Sequence, residues 1–430
     1  MTHSTKRLRR NGLLALSALP VMALLFCFFS VVSGGFSHVP MLIVFLLTSV
    51  YSLFTLRGLK TTERIAVFSR GAGDENLLMM IWIFILAGAF AEVAKAIGAI
   101  DATVAAALHL LPPSMLLPGV FLAACFISLS IGTSVGTIVA LVPIAAGMAT
   151  QSHLPLPLLV GATVGGAFFG DNLSFISDTT VAATRTQGCR MKEKFRANFK
   201  IALPAAIATL LLYVWLGRGT TPVPSAAEAD LLLIVPYLFV LITAMVGVDV
   251  LVVLLLGTLV ACAIGLAEGV FTPAECCTAI CTGIGDMGEL ILVSMMAGGL
   301  FAVIRKGGGI TWLIRRLTLH VSSARGGQLV IALLVSLTNL CTANNTVAIL
   351  SVGPLARDIS ERFGIAPRRA ASILDTFSCI VQGFLPYGAQ LLMAAGMAHI
   401  TSTSIVPFLY YNMLLALSIL LTILLTRARR

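Results

Sequence analysis

Long apolar runs separated by short polar segments make up most of the chain. A helix needs roughly 20 predominantly apolar residues to cross the hydrocarbon core of a bilayer. Ten runs have about this length and predict transmembrane helices. They lie at about 11–33, 40–56, 76–98, 157–184, 201–217, 230–247, 249–267, 286–304, 371–398 and 404–425.

Two other apolar runs, 115–149 and 328–356, are too long for one transmembrane helix and too short for two. Small and polar residues interrupt each of them near its middle. Irregular backbone at membrane depth is tolerated where protein surrounds it, so these runs predict two re-entrant hairpins. The runs 157–184 and 371–398 carry polar residues in apolar surroundings and predict broken helices. The predicted fold class is an all-α polytopic membrane protein.

A weak internal repeat relates the two ends of the chain. Residues 86–100 (LAGAFAEVAKAIGAI) match residues 296–310 (MAGGLFAVIRKGGGI). The middles of the two hairpins and the polar parts of two broken helices also match, in the same order. Self-similarity of this kind indicates structural repeats. We predict an N-terminal repeat at 1–200, a linking helix and loop at 201–229, and a C-terminal repeat at 230–430.

Composition assigns the chain to the membrane class. Charged residues make up 11% of it and apolar residues 58%, whereas a soluble domain carries roughly a quarter charged residues. The net charge of +10 does not indicate nucleic-acid binding, because Lys and Arg cluster in short segments between the apolar runs, as in cytoplasmic loops. These clusters lie at 6–10, 57–70, 185–200, 305–325, 357–369 and 427–430.

The basic clusters also orient the predicted helices. If all of them are cytoplasmic, both termini are cytoplasmic and the two repeats cross the membrane in opposite directions. Inverted repeats that bring broken helices together near the membrane midplane are the architecture of many secondary transporters. We therefore predict a multi-pass protein of the cell membrane with two inverted-topology repeats.

Two carboxylates, Asp171 and Asp178, stand in an otherwise apolar run, and Asp375 occupies the place of Asp171 in the second repeat. A charged residue at membrane depth costs roughly 2.5–3.5 kcal/mol on insertion scales, so it normally faces a cavity or a pathway. A carboxylate in such a position can bind either a proton or Na⁺. Asp171 and Asp178 are therefore the candidate ligands of a transported Na⁺ ion.

Further oxygen ligands accompany these carboxylates in the sequence. Gly165, Gly166 and Gly170 precede Asp171 and indicate a point where the helix unwinds and frees carbonyl groups. Carbonyl, hydroxyl and amide oxygens suit hard cations. Each hydroxyl has an alternative role, a hydrogen bond to its own helix backbone. The candidate ligands are Asn172, Ser174 and Thr179, with Ser378 and Gln382 beside Asp375 in the second repeat.

The middles of the two hairpins are the second candidate region. GTSVGT at 132–137 and CTANNT at 341–346 each interrupt an apolar run with hydroxyl or amide groups. If the hairpins dip to mid-membrane, these tips present helix ends whose partial charges favour ions. A small-residue packing motif is the alternative explanation for Gly132 and Gly136. The candidate residues are Thr133, Ser134, Thr137, Asn344, Asn345 and Thr346.

The segment 170–180, GDNLSFISDTT, resembles the GD-x-x-SP-x-SDTT signature of the NhaC-type Na⁺/H⁺ antiporter family, part of the wider ion transporter superfamily. The first hairpin tip (132–134) with Pro143 also resembles a family segment. The second tip, 342–346, is similar to the Ser-Asn-Thr tips of dicarboxylate/sodium symporters in the same superfamily. The resemblance implies cation–proton exchange, coupled in some members to small carboxylates or amino acids. Phe175 stands where typical members have proline, which indicates a side branch.

These features predict a secondary active transporter, in first place a Na⁺/H⁺ antiporter. The alternative is a Na⁺- or H⁺-coupled transporter of a small carboxylate or amino acid. An intramembrane enzyme needs a nucleophile–base pair or a metal motif at membrane depth, and the sequence shows neither, so no enzymatic activity and no cofactor are predicted. The predicted partners are Na⁺, H⁺, the lipid bilayer and, under the alternative, a small organic anion or amino acid; homodimer formation is left open.

Overall fold

The computed structural model describes residues 11–35, 39–110, 112–152, 154–175, 177–218, 230–318 and 323–425, and the terminal basic clusters 6–10 and 427–430 lie outside them. All regular elements in the described ranges are helices. The N-terminal helices are α1 (Ala18–Val32), α2 (Met41–Thr55), α3 (Thr61–Ala72), α4 (Glu75–Ala96), α5 (Ala99–Leu110), α6 (Leu116–Ile131), α7 (Ser134–Ser152), α8 (Leu156–Leu173), α9 (Asp178–Gln187) and α10 (Met191–Gly217). The C-terminal helices are α11 (Leu231–Met245), α12 (Val250–Ala267), α13 (Pro273–Asp286), α14 (Gly288–Lys306), α15 (Gly309–Thr318), α16 (Ala324–Thr342), α17 (Asn345–Phe363), α18 (Pro367–Phe384), α19 (Ala389–Ala398), α20 (Ser402–Ile405) and α21 (Tyr410–Leu425).

Nine helical segments of the described chain are long and apolar enough to cross a membrane, and there are ten if the bent pair Ser402–Phe408 and Tyr410–Leu425 counts as one span. A helix pairs its own backbone groups, which lipid requires. Large apolar side chains such as Leu24, Phe54 and Trp82 remain exposed on the outside of the bundle, as lipid contact demands. The predicted all-α polytopic class is confirmed.

Both predicted hairpins are present as pairs of packed helices. α6 and α7 join at Gly132 and Thr133, and Gly132 makes the turn in the left-handed backbone region that glycine favours. α16 and α17 join at Ala343 and Asn344, and Ala343 also has left-handed backbone. Because α7 and α16 are each long and apolar enough to cross a membrane alone, the re-entrant course of the hairpins stays a prediction.

Both predicted broken helices are also present. α8 ends at Leu173 and α9 begins at Asp178, so the first break lies within the sequence signature 170–180. α18 ends at Phe384 and α19 begins at Ala389. Each break leaves unpaired backbone groups and helix ends in the interior, where polar side chains become their partners.

The helix order of α1–α10 recurs in α11–α21 apart from the additional short helix α20, and the recurrence includes four helices that the sequence did not predict. α3 and α13 precede the matching helices α4 and α14, and α5 and α15 follow them. The contacts are reciprocal, because α3 packs on α14 while α13 packs on α4. The N-terminal and C-terminal helices therefore interlock rather than pack as two separate bundles.

Both helix pairs cross at glycines, which allow their backbones to approach closely. α3 crosses α14 at Gly71 and Gly298, and α13 crosses α4 at Gly283 and Gly88. At all four positions a Cβ would collide with a backbone carbonyl across the crossing. Gly88 and Gly298 occupy equivalent places in the matching segments 86–100 and 296–310. The same small residue is thus used twice for close helix approach.

The glycines before the first break serve packing, and the expectation that they unwind the helix was wrong. Gly165, Gly166 and Gly170 all lie within α8, which continues to Leu173. A Cβ at Gly166 would meet the backbone of α6 at Phe121 and Cys125. The glycines let α8 lie directly against α6, and the backbone opens only after Leu173.

Candidate functional site

A cavity of about 190 Å³ lies where the two hairpin tips meet the two helix breaks. We call it the central cavity. Its wall is polar, although it lies inside an apolar bundle, and it includes nine of the residues singled out in the sequence. These are Thr133, Ser134, Asp171, Asp178, Thr179, Asn344, Asn345, Thr346 and Gln382, and Asn76 and Gln390 are further polar wall residues.

Asp171 is the most enclosed carboxylate in the wall, with 5% of its surface exposed. Ser177 Oγ donates a hydrogen bond to its Oδ1 at 2.6 Å, and Ser134 Oγ donates to its Oδ2 at 3.0 Å. None of the ion pairs found in the described part of the chain includes Asp171. A buried carboxylate with only neutral partners is expensive to keep charged, so it favours a proton or a cation as its companion.

Asp178 lies on the same cavity wall in a different environment. It is the first residue of α9, and its side chain is exposed to the cavity. A carboxylate at a helix N-terminus is stabilised by the helix dipole. Thr179 Oγ1 lies 2.9 Å from Ser177 Oγ, and this contact connects the start of α9 to the partner of Asp171.

A chain of side-chain hydrogen bonds joins the two hairpin tips across the cavity. Gln390 Nε2 donates to Ser134 Oγ at 3.0 Å, and Gln382 Nε2 donates to Gln390 Oε1 at 2.9 Å. Gln382 Nε2 also donates to the Ala343 carbonyl of the second tip at 3.1 Å. Asp171 is therefore linked to the C-terminal helices by a hydrogen-bonded chain that starts at Ser134.

Several polar groups of the second tip form hydrogen bonds within the tip. Asn344 Oδ1 accepts from the Val347 backbone N–H and caps α17. Asn345 Oδ1 accepts from the Thr346 N–H at 3.0 Å. Thr342 Oγ1 donates to the Asn344 carbonyl. The two adjacent amides thus hold the turn between α16 and α17 while they also line the central cavity.

The remaining five candidate residues do not line the central cavity. Thr137 and Ser378 donate to backbone carbonyls one turn before them in the chain, those of Thr133 and Asp375. Ser174 caps the end of α8, and its carbonyl accepts from Thr180 Oγ1. Asn172 and Asp375 belong to a second, fully buried polar cluster.

Lys194 is the centre of this buried cluster. Its Nζ lies 2.7 Å from Asp375 Oδ2, and the two side chains are 1% and 0% exposed. Nζ also donates to the Asn172 carbonyl at 2.7 Å and to Thr180 Oγ1 at 2.6 Å. Asn198 Nδ2 donates to Asp375 Oδ2 at 2.7 Å. Asp375 is thus neutralised by the protein itself, unlike Asp171.

The structure also corrects the prediction that 185–200 is a loop, while the cytoplasmic placement of this segment stays a prediction. The connection between α9 and α10 covers only Gly188 to Arg190, and α10 starts at Met191. The helix predicted at 201–217 therefore begins ten residues earlier than expected, with Lys194 and Asn198 on its inner face. Phe175 of the break stacks on Phe195 of the same helix, with ring centroids 4.6 Å apart.

Two polar residues of α10 and one of α19 were not predicted from the sequence as site residues. Lys194 and Asn198 are four positions apart and share one helical face, a weak signal that the surrounding basic residues concealed. Gln390 is a lone amide at the start of the apolar helix α19, directly after a break. A polar residue beside a predicted break is a usable signal for a site residue.

A helical membrane protein with a polar cavity between two broken helices has the architecture of a secondary transporter. The model of the Na⁺/H⁺ antiporter family matches residues 10–218 and 228–424, so the chain belongs to that family. Its transporter class is confirmed by this membership.

Several characterised relatives extend over most of the chain. The Na⁺/H⁺ antiporter NhaC of Bacillus subtilis is 24% identical and covers 87% of this chain and 89% of that protein. NhaC of Alkalihalophilus pseudofirmus is 22% identical, with 90% and 89% covered. The malate-2H⁺/Na⁺-lactate antiporter of Bacillus subtilis is 22% identical, with 79% and 80% covered.

Proposed function

We propose that this protein exchanges Na⁺ for H⁺ across the cell membrane, with Asp171 as the residue that binds the two ions in competition. The observation that carries the proposal is the enclosed Asp171 carboxylate, which has only hydroxyl partners in the wall of a polar cavity. The named activity of the two NhaC relatives supports the same exchange.

The cavity wall supplies what a transported Na⁺ requires. Hydroxyl, amide and carboxylate oxygens are the ligands that hard cations prefer. Ser177 and Ser134 hold the Asp171 carboxylate in one orientation, and Asp178 and Thr179 stand on the same wall. A proton on Asp171 removes the charge that attracts Na⁺, so binding of one ion displaces the other.

Movement of one repeat against the other is the proposed route to alternating access. The repeats are those proposed at 1–200 and 230–430, with 201–229 as the link, inverted relative to each other and with both termini cytoplasmic. The interlocked packing of α3 on α14 and of α13 on α4 supports a pair of equivalent units. The chain of Gln390 and Gln382 then lies between the moving parts.

Proteoliposomes test the exchange directly. An outward-directed Na⁺ gradient is imposed on vesicles that contain the purified protein and a pH-sensitive dye, and the lumen is expected to acidify as Na⁺ leaves. Vesicles without protein and vesicles with an equal K⁺ gradient are the controls. If protons move no faster than in the controls over a range of pH, the proposed exchange is wrong.

Gln390 tests the link between the two tips. In Gln390→Leu, Ser134 and Gln382 each lose a partner, and one hydrogen bond contributes about 0.5–1.5 kcal/mol. We therefore expect the apparent Na⁺ affinity, measured from dye signals at several Na⁺ concentrations, to fall about 3- to 10-fold. Gln328→Leu is the matched control, since Gln328 is also buried and pairs with Arg369 away from the cavity. Equal effects of both substitutions on Na⁺ affinity would contradict a specific role of Gln390.

A second candidate function is coupled transport of a small carboxylate. A neighbouring cavity, also about 190 Å³, shares Asn344 with the central cavity and is lined by Arg305 and Ser294. Ser294 Oγ is buried and has no hydrogen-bond partner among the described residues. Arginine and hydroxyl donors suit a carboxylate, and one relative is named a malate-2H⁺/Na⁺-lactate antiporter.

Labelled malate, lactate and amino acids, added to vesicles with either an outward or an inward Na⁺ gradient, test this second function. Under it, a Na⁺ gradient drives uptake of one of them, and Arg305→Gln reduces that uptake by about tenfold because a charged hydrogen bond is lost. Lys306→Gln, which changes the next residue on α14, is the control and should leave uptake nearly unchanged. Absence of any Na⁺-driven uptake above protein-free vesicles counts against this function.

A further inference from the structure

The two repeat-related carboxylates have opposite electrostatic partners. Asp171 receives hydrogen bonds from two serine hydroxyls and lines the central cavity. Asp375 is fully buried and is paired with the Lys194 ammonium. Since the two aspartates match in the internal repeat, their environments would be alike if both served as ion sites.

Each donor of the Lys194 side chain has an oxygen acceptor. An ammonium group has three N–H donors, and Lys194 has three acceptors: Asp375 Oδ2, the Asn172 carbonyl and Thr180 Oγ1. These acceptors come from α18, from the end of α8 and from α9. The ammonium is therefore coordinated by oxygen atoms as a bound cation is, and it holds both sides of the first break to the second repeat.

The charge that pairs with Asp375 comes from α10. Lys194 lies near the start of α10, whereas α21, the last helix of the C-terminal set, contains no Lys or Arg within Tyr410–Leu425. The first break thus has no lysine that approaches Asp171 in the way that Lys194 approaches Asp375. One site is open to an external cation and the other is filled from within the chain.

We propose that Lys194 is a tethered cation that occupies, beside Asp375, the position equivalent to the one that Na⁺ takes beside Asp171, so that Asp375 binds no transported ion. This inference rests on the proposed function for the role of Asp171. It makes Lys194 a positioning residue, and it predicts a single Na⁺ site per chain although the sequence contains two matching carboxylates.

Counting bound cations tests the inference. Equilibrium dialysis of purified protein against ²²Na⁺ at alkaline pH gives the number of Na⁺ ions per chain, and acid–base titration gives bound protons. We expect one Na⁺ in the native chain. In Lys194→Met, Asp375 loses its counter-charge and takes up one additional cation, either Na⁺ or H⁺. In the double variant Lys194→Met/Asp375→Asn, the count returns to the native value.

The double variant also covers the case in which Lys194→Met does not fold, because it leaves no unpaired charge in the buried cluster. It should exchange Na⁺ for H⁺ at the native ratio. Lys192→Met, an exposed lysine on the same helix, is the matched control and should change neither count nor ratio. Two Na⁺ ions bound to the native chain, or a folded double variant with an altered exchange ratio, would overturn the proposal.

Thermal stability separates this inference from the proposed function. Lys194→Met and Asp375→Asn each leave one buried charge unpaired, so each should lower the melting temperature, and the double variant should regain most of the loss. This recovery does not depend on the cargo. If the native protein does not exchange Na⁺ for H⁺ but the double variant regains its melting temperature, the proposed function is wrong and the pairing of Lys194 with Asp375 is supported. If exchange is seen without recovery, the tethered-cation role is wrong.

Discussion

Asp171→Asn is expected to abolish Na⁺-driven proton movement while the protein stays folded. Asparagine keeps the size of the side chain, and its amide oxygen can accept a hydrogen bond from one of the two serines while its Nδ2 donates to the other. It has neither the negative charge nor a titratable proton. Loss of a unit charge in contact with a cation removes several kcal/mol even at an effective dielectric constant of about 20. Na⁺ affinity should therefore fall by at least about 100-fold, measured by ²²Na⁺ binding and by the pH-sensitive dye in proteoliposomes.

Two further carboxylates provide the comparison for Asp171. Asp358→Asn changes an exposed carboxylate on α17 and should leave exchange unchanged. Asp178→Asn should have an intermediate effect, since Asp178 lines the same cavity but is exposed at the start of α9. Native exchange rates in a folded Asp171→Asn protein would remove Asp171 from the mechanism.

Gly170→Ala is expected to damage the fold and the candidate site together. A Cβ at Gly170 would collide with the Leu129 backbone nitrogen and with Ser128, so α8 would have to move away from α6. Overpacking of this kind costs about 1–3 kcal/mol in a tightly packed core. Asp171 follows directly in the chain, so the displacement also disturbs the candidate site. A lower melting temperature in detergent and a loss of exchange should appear together.

Gly285→Ala is the matched control for this substitution. Gly285 is also helical, but a Cβ there meets nothing within 4 Å. Alanine is the better helix former by nearly 1 kcal/mol, so this variant should be at least as stable as the native protein. If both alanine variants melt at the native temperature, the contact between α6 and α8 is looser than described.

Most of the architecture follows from local patterns. The apolar runs, the two hairpins and the two breaks were predictable because each depends on the polarity of a short segment. The short helices α3, α5, α13 and α15 were not predicted, since they are too short or too polar to give a membrane-span signal. The signature 170–180 located the first break and the family resemblance, and the family model matched over both halves of the chain confirms that resemblance.

The candidate site was only partly predictable. Polar residues at the tips and breaks were found because a polar group inside an apolar run is locally conspicuous. The separate environments of Asp171 and Asp375 were not found, because the repeat makes the two residues look equivalent. Their difference comes from Lys194 and Ser134, which approach them from other helices.

The sequence by itself determined the membrane class, the repeated order of interrupted helices and the polar residues at the interruptions. These are properties of runs of neighbouring residues, and the bilayer imposes them directly through the cost of unpaired polar groups in lipid. The tertiary structure decided which carboxylate is open to the cavity, which is neutralised by Lys194, and that the glycines before Asp171 pack rather than unwind. Those outcomes depend on contacts between side chains far apart in the chain, such as Asn198 with Asp375, and only the packed helices bring such groups together.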